Sequence, residues 1–328
     1  MKLEPNLWFD EVVKTYHLIS PHIHHTQLVT CPDLNEELDG MYLFKPESLQ
    51  ITGSFKVRGA LSAISRLSKK ELKRGVIAYS SGNHAQGVAH AAKVFNTPAT
   101  VVMPKDAPER KIANAQALGA EVIFYDRRTE SREKMSIEIA KERDLVIINP
   151  YDALATIYGQ GTAAYEVIND ANNPKLDNAI ICAGGGGLTA GSCISIKHIN
   201  PECSVFTAEP EEWNDHQLSF EKNERVAMDT NRGGLCDGLL TPMPGEIPFA
   251  INTHFGVKGL AASDQAVCEA MRFAFNRLNL KLEPSGAVAL ACLLENKEKF
   301  KGTRTLVMLS GGNVDQKTFA DCLAQASQ

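Results

Sequence analysis

Short runs of β-branched and apolar residues alternate with helical patterns along most of this chain, and the runs carry no polar alternation of their own. Val76–Tyr79, Ala99–Met103, Glu121–Tyr125 and Leu145–Ile148 read as strands, separated by helix patterns near Ala85–Phe95, Arg110–Leu118 and Ser131–Arg143. A second series runs from Tyr151: helix Ala163–Asn169, strand Asn178–Cys182, helix Leu188–Ile199 and strand Ser204–Ala208. Irregular sequence follows through Pro242-Met243-Pro244-Gly245. Helices Asp264–Leu278 and Ala287–Asn296, strand Thr305–Leu309 and a helix from Asp315 close the chain. Strands that are apolar on both faces need cover on both faces. The pattern predicts an α/β protein with two open, mostly parallel twisted sheets and helices on either side. A length of 328 residues leaves room for two lobes, with a boundary near residue 150.

Composition removes several classes of function. The formal charge of −5 is mild, and no block of like charges suggests nucleic acid or an anionic membrane. No apolar stretch approaches the length of a membrane span, and Met1-Lys2-Leu3-Glu4-Pro5 lacks the apolar core of a signal peptide. The eight cysteines form no Cys-x-x-Cys pair, and several lie in apolar runs. Buried free thiols in a reducing cytoplasm are therefore expected, not disulfides or a zinc site. His22, His24 and His25 follow a proline without a nearby acid or cysteine and read as surface loop.

Four motifs hold chemistry. In Gly53-Ser54-Phe55-Lys56-Val57-Arg58-Gly59-Ala60 a lysine follows an aromatic residue at the start of an apolar helix. It is either a solvated basic helix start or a pocket lysine whose pKa is depressed by burial and cationic neighbours, ready to form a Schiff base. Gly184-Gly185-Gly186-Gly187 falls between a strand and a helix, where converging N–H groups and the helix N-terminus make a phosphate cradle; a flexible turn is the alternative. The spacing fails Gly-x-Gly-x-x-Gly at Thr189, yet Glu209 ends the next strand where a dinucleotide-binding fold places its ribose acid. A nucleotide-dependent oxidoreductase, or a non-catalytic ligand-binding module, thus remains the rival reading. Ser80-Ser81-Gly82-Asn83-His84 offers donors for a small carboxylate or phenolic oxygen, or simply a helix cap. Ser310-Gly311-Gly312-Asn313 ends the last strand, and both loops lie at carboxyl ends of strands, where open sheets place ligands.

Ser-Phe-Lys-x-Arg-Gly-Ala, the serine–asparagine loop, the tetraglycine and the terminal serine, in this order, resemble the pyridoxal-phosphate enzymes of the serine racemase and threonine dehydratase group, called fold type II. The likeness runs from about residue 20 to residue 315. It implies a tryptophan synthase β-like fold, with residues 1–65 plus 151–328 as a large cofactor-binding domain and 66–150 as a small mobile one. Lys56 would hold the aldehyde of pyridoxal 5′-phosphate, with Phe55 beside the ring. Gly184, Gly185, Gly186, Gly187 and the Leu188 amide would bind the phosphate, Asn83 the phenolic oxygen and Ser310 the pyridine nitrogen. A serine there makes the ring a weaker electron sink than a carboxylate would, which favours loss of a β leaving group. Ser80, Ser81, Asn83, His84 and Arg132 would meet the substrate. Ser81 stands where serine racemases place a second base opposite the lysine.

Glu209 and Asp215 flank Pro210-Glu211-Glu212-Trp213-Asn214. Two carboxylates and the Trp213 carbonyl suit Mg²⁺ or Ca²⁺, with Mn²⁺ as a third option; an acidic surface loop is the other reading. The spacing resembles the cation site of metal-activated serine racemases and hydroxyaspartate dehydratases. The chain ends soon after Asn313, so no regulatory domain is expected, and Ile51 and Asn279 stand where nucleotide-activated racemases tend to have lysines. The resemblance implies a cytoplasmic homodimer acting on a small amino acid. It would be a dehydratase (ammonia-lyase) for L-serine, L-threonine or 3-hydroxyaspartate, with serine racemisation as a second or even main activity.

Overall fold

The computed structural model describes residues 5–80, 82–107, 109–126, 128–170, 175–229 and 233–325. Ten strands form two sheets. In chain order they are β1 Val29–Thr30, β2 Met41–Pro46, β3 Val76–Tyr79, β4 Ala99–Pro104, β5 Glu121–Tyr125, β6 Val146–Ile147, β7 Asn178–Cys182, β8 Ser204–Pro210, β9 Lys258–Ala262 and β10 Arg304–Leu309. The first sheet runs β1-β2-β10-β7-β8-β9, parallel except for the edge pair β1–β2. The second runs β5-β4-β3-β6 and is parallel throughout. The expected two open, mostly parallel sheets are thus present, and the carboxyl ends of β3, β7 and β10 lead into the three loops singled out in the sequence.

Sequence and structure differ in two places. The helix expected at Ala163–Asn169 runs from Leu154 to Ile168. Its first half, rich in Thr, Ile, Tyr and Gly, has poor intrinsic helix propensity. The glycines are there for contact: a Cβ on Gly161 would stand 2.6 Å from the Gly191 carbonyl, and one on Gly159 2.6 Å from the Ser62 Cβ. Packing against the helices Gly187–Ile199 and Lys56–Ser65 overrides propensity. The stretch read as irregular contains the helix Asp215–Lys222, and residues 246–263, given no element from sequence, contain the helix Glu246–His254 and the edge strand β9, whose Lys258-Gly259-Leu260-Ala261-Ala262 has weak strand character.

Each sheet has its own apolar core, and the Lys56 helix spans the seam. Phe55 belongs to the core of the first sheet, whereas Val57, Ala60, Leu61 and Ile64 belong to that of the second. The helix start is fixed by a fully buried charge network. Arg58 donates from Nε to Glu47 Oε2 (2.7 Å) and from Nη1 to Glu166 Oε1 (2.7 Å), and Lys45 Nζ reaches Glu166 Oε2 at 2.5 Å. Thr26 Oγ1 adds a bond to Glu47 Oε1 (2.7 Å). Burial alone would raise the Glu47 carboxyl, but the Arg58 guanidinium outweighs it and holds Glu47 below its ordinary value.

Removing the central cation leaves two carboxylates buried with Lys45 alone. Arg58→Met is expected to lower stability by about 3–5 kcal/mol, read from the urea midpoint at unchanged m-value. A loss within about 0.5 kcal/mol would mean that the network is not holding the helix.

Candidate active site

The Lys56 helix enters the cleft along the terminal-serine loop. Gly53, at φ +71°, turns the chain, Ser54 bridges to Gly311, and Phe55 N–H donates to the Ser310 carbonyl at 3.2 Å. Lys56 itself is partly covered and points its Nζ at the Pro150 carbonyl, 3.0 Å away. Burial lowers its pKa to about 8. The expected help from a cationic neighbour is absent: Arg58, two residues on, lies on the opposite side of the helix and is neutralised by Glu47 and Glu166.

The tetraglycine follows β7 in the same cleft. Gly186, at φ +88°, caps the helix Gly187–Ile199, whose first internal bond joins Ala190 N–H to the Gly186 carbonyl. The N–H groups of Gly187, Leu188 and Thr189 therefore precede the helical ladder and stand at its positive end. None of the four positions has room for a side chain. A Cβ on Gly185 would enter the Tyr151 ring, one on Gly184 would come 3.1 Å from Thr241 Oγ1, and one on Gly187 2.7 Å from Gln160 Oε1. Gln160 Oε1 is buried with no partner. A cradle open only to backbone donors, beside an amine of lowered pKa, fits a phosphorylated aldehyde.

The loop after β3 supplies a second set of donors. The helix Asn83–Val94 begins with Gly82 as its cap, and its first internal bond runs from Gln86 N–H to Gly82. The N–H groups of Asn83, His84 and Ala85 thus face its N-terminal end. Ser80 Oγ accepts from Gly82 N–H at 3.1 Å. Asn83 donates from Nδ2 to Glu283 Oε1 (2.6 Å) and accepts from Asn313 Nδ2 (2.7 Å), which leaves one amide N–H for another acceptor. His84 is buried, with Nε2 2.8 Å from the Ile148 carbonyl. Burial, then the Lys56 charge, lowers its pKa to about 3. The neutral ring donates through Nε2, so a carboxylate contact from this residue would come from its backbone N–H. Ser81 lies outside the described residues.

Ser310 closes the cleft at the end of β10, its Oγ 3.4 Å from the Ser285 carbonyl. Arg132 lines the mouth, with Nε bonded to Glu133 Oε1 at 2.8 Å. Phe55, Lys56, Ser80, Asn83, His84, Arg132, the four glycines, Leu188 and Ser310 therefore share one cleft. Sequence reasoning missed Tyr79, Tyr151, Gln160, Cys182, Glu283 and Ser285, which line it too. Glu283-Pro284, with proline in the first turn of a helix, was a readable signal for the last pair; the others reach the cleft only through tertiary packing.

Glu209, Trp213 and Asp215 sit apart from this cleft. Glu209 and Asp215 are fully buried, so the surface-loop alternative fails. Glu209 accepts from the N–H groups of His216 (2.7 Å) and Gln217 (2.9 Å) at the start of the helix Asp215–Lys222. Neither oxygen of Asp215 meets a donor. Burial, and for Glu209 then the Asp215 charge, raises both carboxyls. Two facing buried carboxylates, one of them without a backbone or hydroxyl donor, fit a hard cation. Among the described residues no third His, Cys, Asp or Glu joins them, so its other ligands would be backbone oxygens or water. The ribose role considered for Glu209 has no support, because the carboxylate is turned onto the helix start.

A lysine of lowered pKa, a glycine phosphate cradle and a serine at the last strand, on two mostly parallel sheets, define a fold type II pyridoxal-phosphate enzyme. The chain belongs to that family: the profile described as pyridoxal-phosphate dependent enzyme matches residues 19–311. It is 39% identical over 317 residues to a serine racemase of Schizosaccharomyces pombe, covering 97% of each chain. It is also 39% identical over 316 residues to an L-threo-3-hydroxyaspartate ammonia-lyase of Saccharomyces cerevisiae, covering 96% of each. The crystal structure of serine racemase from Dictyostelium discoideum superposes with a TM-score of 0.87 at 36% identity, over 94% of this chain and 98% of that one.

The Lys56 environment has a direct pH signature. An ammonium has no lone pair, so in the cofactor-free protein the rate of capture by an aldehyde should rise through about pH 8 and then level, rather than climb toward 10.5 as for an exposed lysine. Stopped-flow absorbance across that range reads the midpoint directly.

Proposed function

We propose that this enzyme is a pyridoxal-phosphate-dependent ammonia-lyase that eliminates water from a small β-hydroxy amino acid, the released enamine then taking up water to give a 2-oxo acid and ammonia. The observation behind the reading is the Lys56 amine of lowered pKa sharing a cleft with the tetraglycine cradle and a hydroxyl, Ser310, rather than a carboxylate, at the end of β10. The cofactor, when bound, supplies an electrophilic carbonyl carbon for the substrate amine and a ring that withdraws electrons. Gly184, Gly185, Gly186, Gly187 and Leu188 hold its phosphate, Asn83 its phenolic oxygen, Phe55 packs at its ring, and Ser310 donates to its nitrogen without surrendering a proton. The N–H groups at the start of the Asn83 helix, with Ser80 and Ser81, bind the substrate carboxylate. Lys56, released from its anchoring role, takes the α-proton, and return of that proton to the departing β-hydroxyl lets it leave as water. Ser81, on the other face, gives the enzyme a second base and serine racemisation as an accompanying activity.

Residues 66–150 act as the smaller lobe and bring Arg132 toward the substrate, where it meets the second carboxylate of 3-hydroxyaspartate. Glu209, Asp215 and the Trp213 carbonyl hold a divalent cation, Mg²⁺, Ca²⁺ or Mn²⁺, away from the chemistry. The enzyme works as a cytoplasmic homodimer; eight unpaired thiols suit that compartment. A relative named for racemisation and one named for elimination stand at equal identity, 39%, in keeping with both activities on one site.

The purified protein should show a visible absorbance band that Lys56→Ala abolishes, and should form 2-oxo acid from L-serine, L-threonine or a 3-hydroxyaspartate. A colourless protein that binds a nicotinamide cofactor would sink the reading, and so would absence of 2-oxo acid from every substrate. Ser81→Ala should lose D-serine formation while keeping elimination. Arg132→Ala should raise KM for 3-hydroxyaspartate by about tenfold or more, the loss of one charge-assisted hydrogen bond, and leave KM for serine nearly unchanged. Equal effects on both substrates would remove Arg132 from specificity.

A further inference from the structure

His216 stands between the two groups that the proposed function treats separately. Its backbone N–H donates to Glu209 Oε1 at 2.7 Å, and Asp215 precedes it in the chain. Its ring, fully buried, places Nε2 2.8 Å from the Gly184 carbonyl. A carbonyl only accepts, so Nε2 carries the proton and donates; Nδ1 has no partner. The ring also occupies the space beside Gly186, where a Cβ would stand 3.0 Å from Nε2.

The bond to Gly184 decides where the next N–H points. A trans peptide is planar, with C=O and N–H directed oppositely, so a Gly184 carbonyl held by His216 turns the Gly185 N–H away from His216. The glycines line the cleft and His216 does not, so that direction is the cleft side. Glycine on both sides of this peptide removes the side-chain barrier to its rotation, so a bond to its carbonyl has an orientation to fix. The Gly185 carbonyl is held in a similar way by Gly245 N–H at 3.1 Å. Of these two restraints on the cradle, only His216 is a side chain.

We propose that His216 is a positioning residue that couples a divalent cation at Glu209 and Asp215 to the phosphate cradle, so that the cation and pyridoxal phosphate each tighten the binding of the other. The inference rests on the cation reading given above. The path is short and continuous: Glu209 carboxylate, His216 backbone, imidazole, Gly184 carbonyl, Gly185 N–H. A cation between the two carboxylates relieves their repulsion and holds Glu209 against the start of the helix; the ring then selects the cradle orientation that receives phosphate. Linkage requires the reverse effect to have the same size.

Cofactor-free protein is titrated with pyridoxal phosphate by fluorescence, in EDTA and in saturating magnesium, and magnesium binding is followed by calorimetry with and without cofactor. The wild type should bind cofactor about five- to tenfold more tightly with the cation, and calorimetry should return the same factor. In His216→Phe, which keeps the ring and the backbone N–H but not the donor, the factor should fall to near one while magnesium affinity without cofactor is unchanged. His216→Gln, whose amide nitrogen lies as many bonds from Cα as Nε2, should retain part of the coupling, and the shorter His216→Asn should not. This pair also serves if the Phe variant does not fold. The ³¹P resonance of bound cofactor should shift with magnesium in the wild type and not in His216→Phe. An unchanged coupling factor in His216→Phe, or in His216→Asn, overturns the proposal, as does a wild-type factor of one with magnesium bound. If calorimetry finds no magnesium that Asp215→Asn removes, the cation reading itself falls and takes this proposal with it.

Discussion

One guanidinium kept out of water sets the position of the reactive lysine. Arg58 follows Lys56 by two residues, about 200° around the helix, so the two side chains leave on opposite sides. Lys56 faces the cleft while Arg58 is clasped by Glu47, which follows β2, and by Glu166, in the last turn of the helix Leu154–Ile168. Net stability from such a buried network is small, because desolvation offsets attraction. Its geometry is what matters here. A guanidinium with two carboxylates on fixed donors cannot slide, so the first turn of the Lys56 helix cannot rotate, and the amine stays in the cleft.

That fixed turn lies on the line where two cores meet. Phe55 is packed in one core and Val57 in the other, with Lys56 between them. The loop that leads into the lysine is tied to the end of β10, where Phe55 N–H donates to the Ser310 carbonyl. Donors on the second sheet's side come from the start of the Asn83 helix. Many donors in the cleft are backbone N–H groups at turns and helix starts. The lysine is the flexible exception, and burial rather than a neighbouring charge makes its amine available near neutral pH.

The local parts of this arrangement were legible in the sequence. Strand–helix alternation gave the two sheets, and the three loops at strand ends carried their own signatures in glycine, serine and asparagine. What stayed hidden depends on partners far apart in the chain. The sequence shows Arg58 as a basic neighbour of Lys56; only folding brings Glu166 to it and cancels its charge. Tyr151, which fills the space where a Cβ on Gly185 would be, sits in a turn with no motif. The glycines of the Leu154 helix carry no local helix signal, and close approach to Gly191 and Ser62 is the reason they are there. Ser81 was read from the sequence and lies outside the described residues.

The two buried acids near β8 illustrate why a satisfied group and an unsatisfied one must be argued separately. Glu209 is accounted for without any ion: two backbone N–H groups at a helix start stabilise its charge, as an acidic cap does elsewhere. Asp215 has no such explanation. It is equally buried, it faces a carboxylate, and neither of its oxygens meets a donor. The one polar group its side chain meets is the Glu209 carboxyl, a second acid, and the helix start already has Asn214 as its cap, so neither pairing nor capping accounts for an acid here. It is therefore Asp215, rather than the more tightly bonded Glu209, on which the case for a cation rests, and His216 extends that case from the carboxylate pair to the cradle.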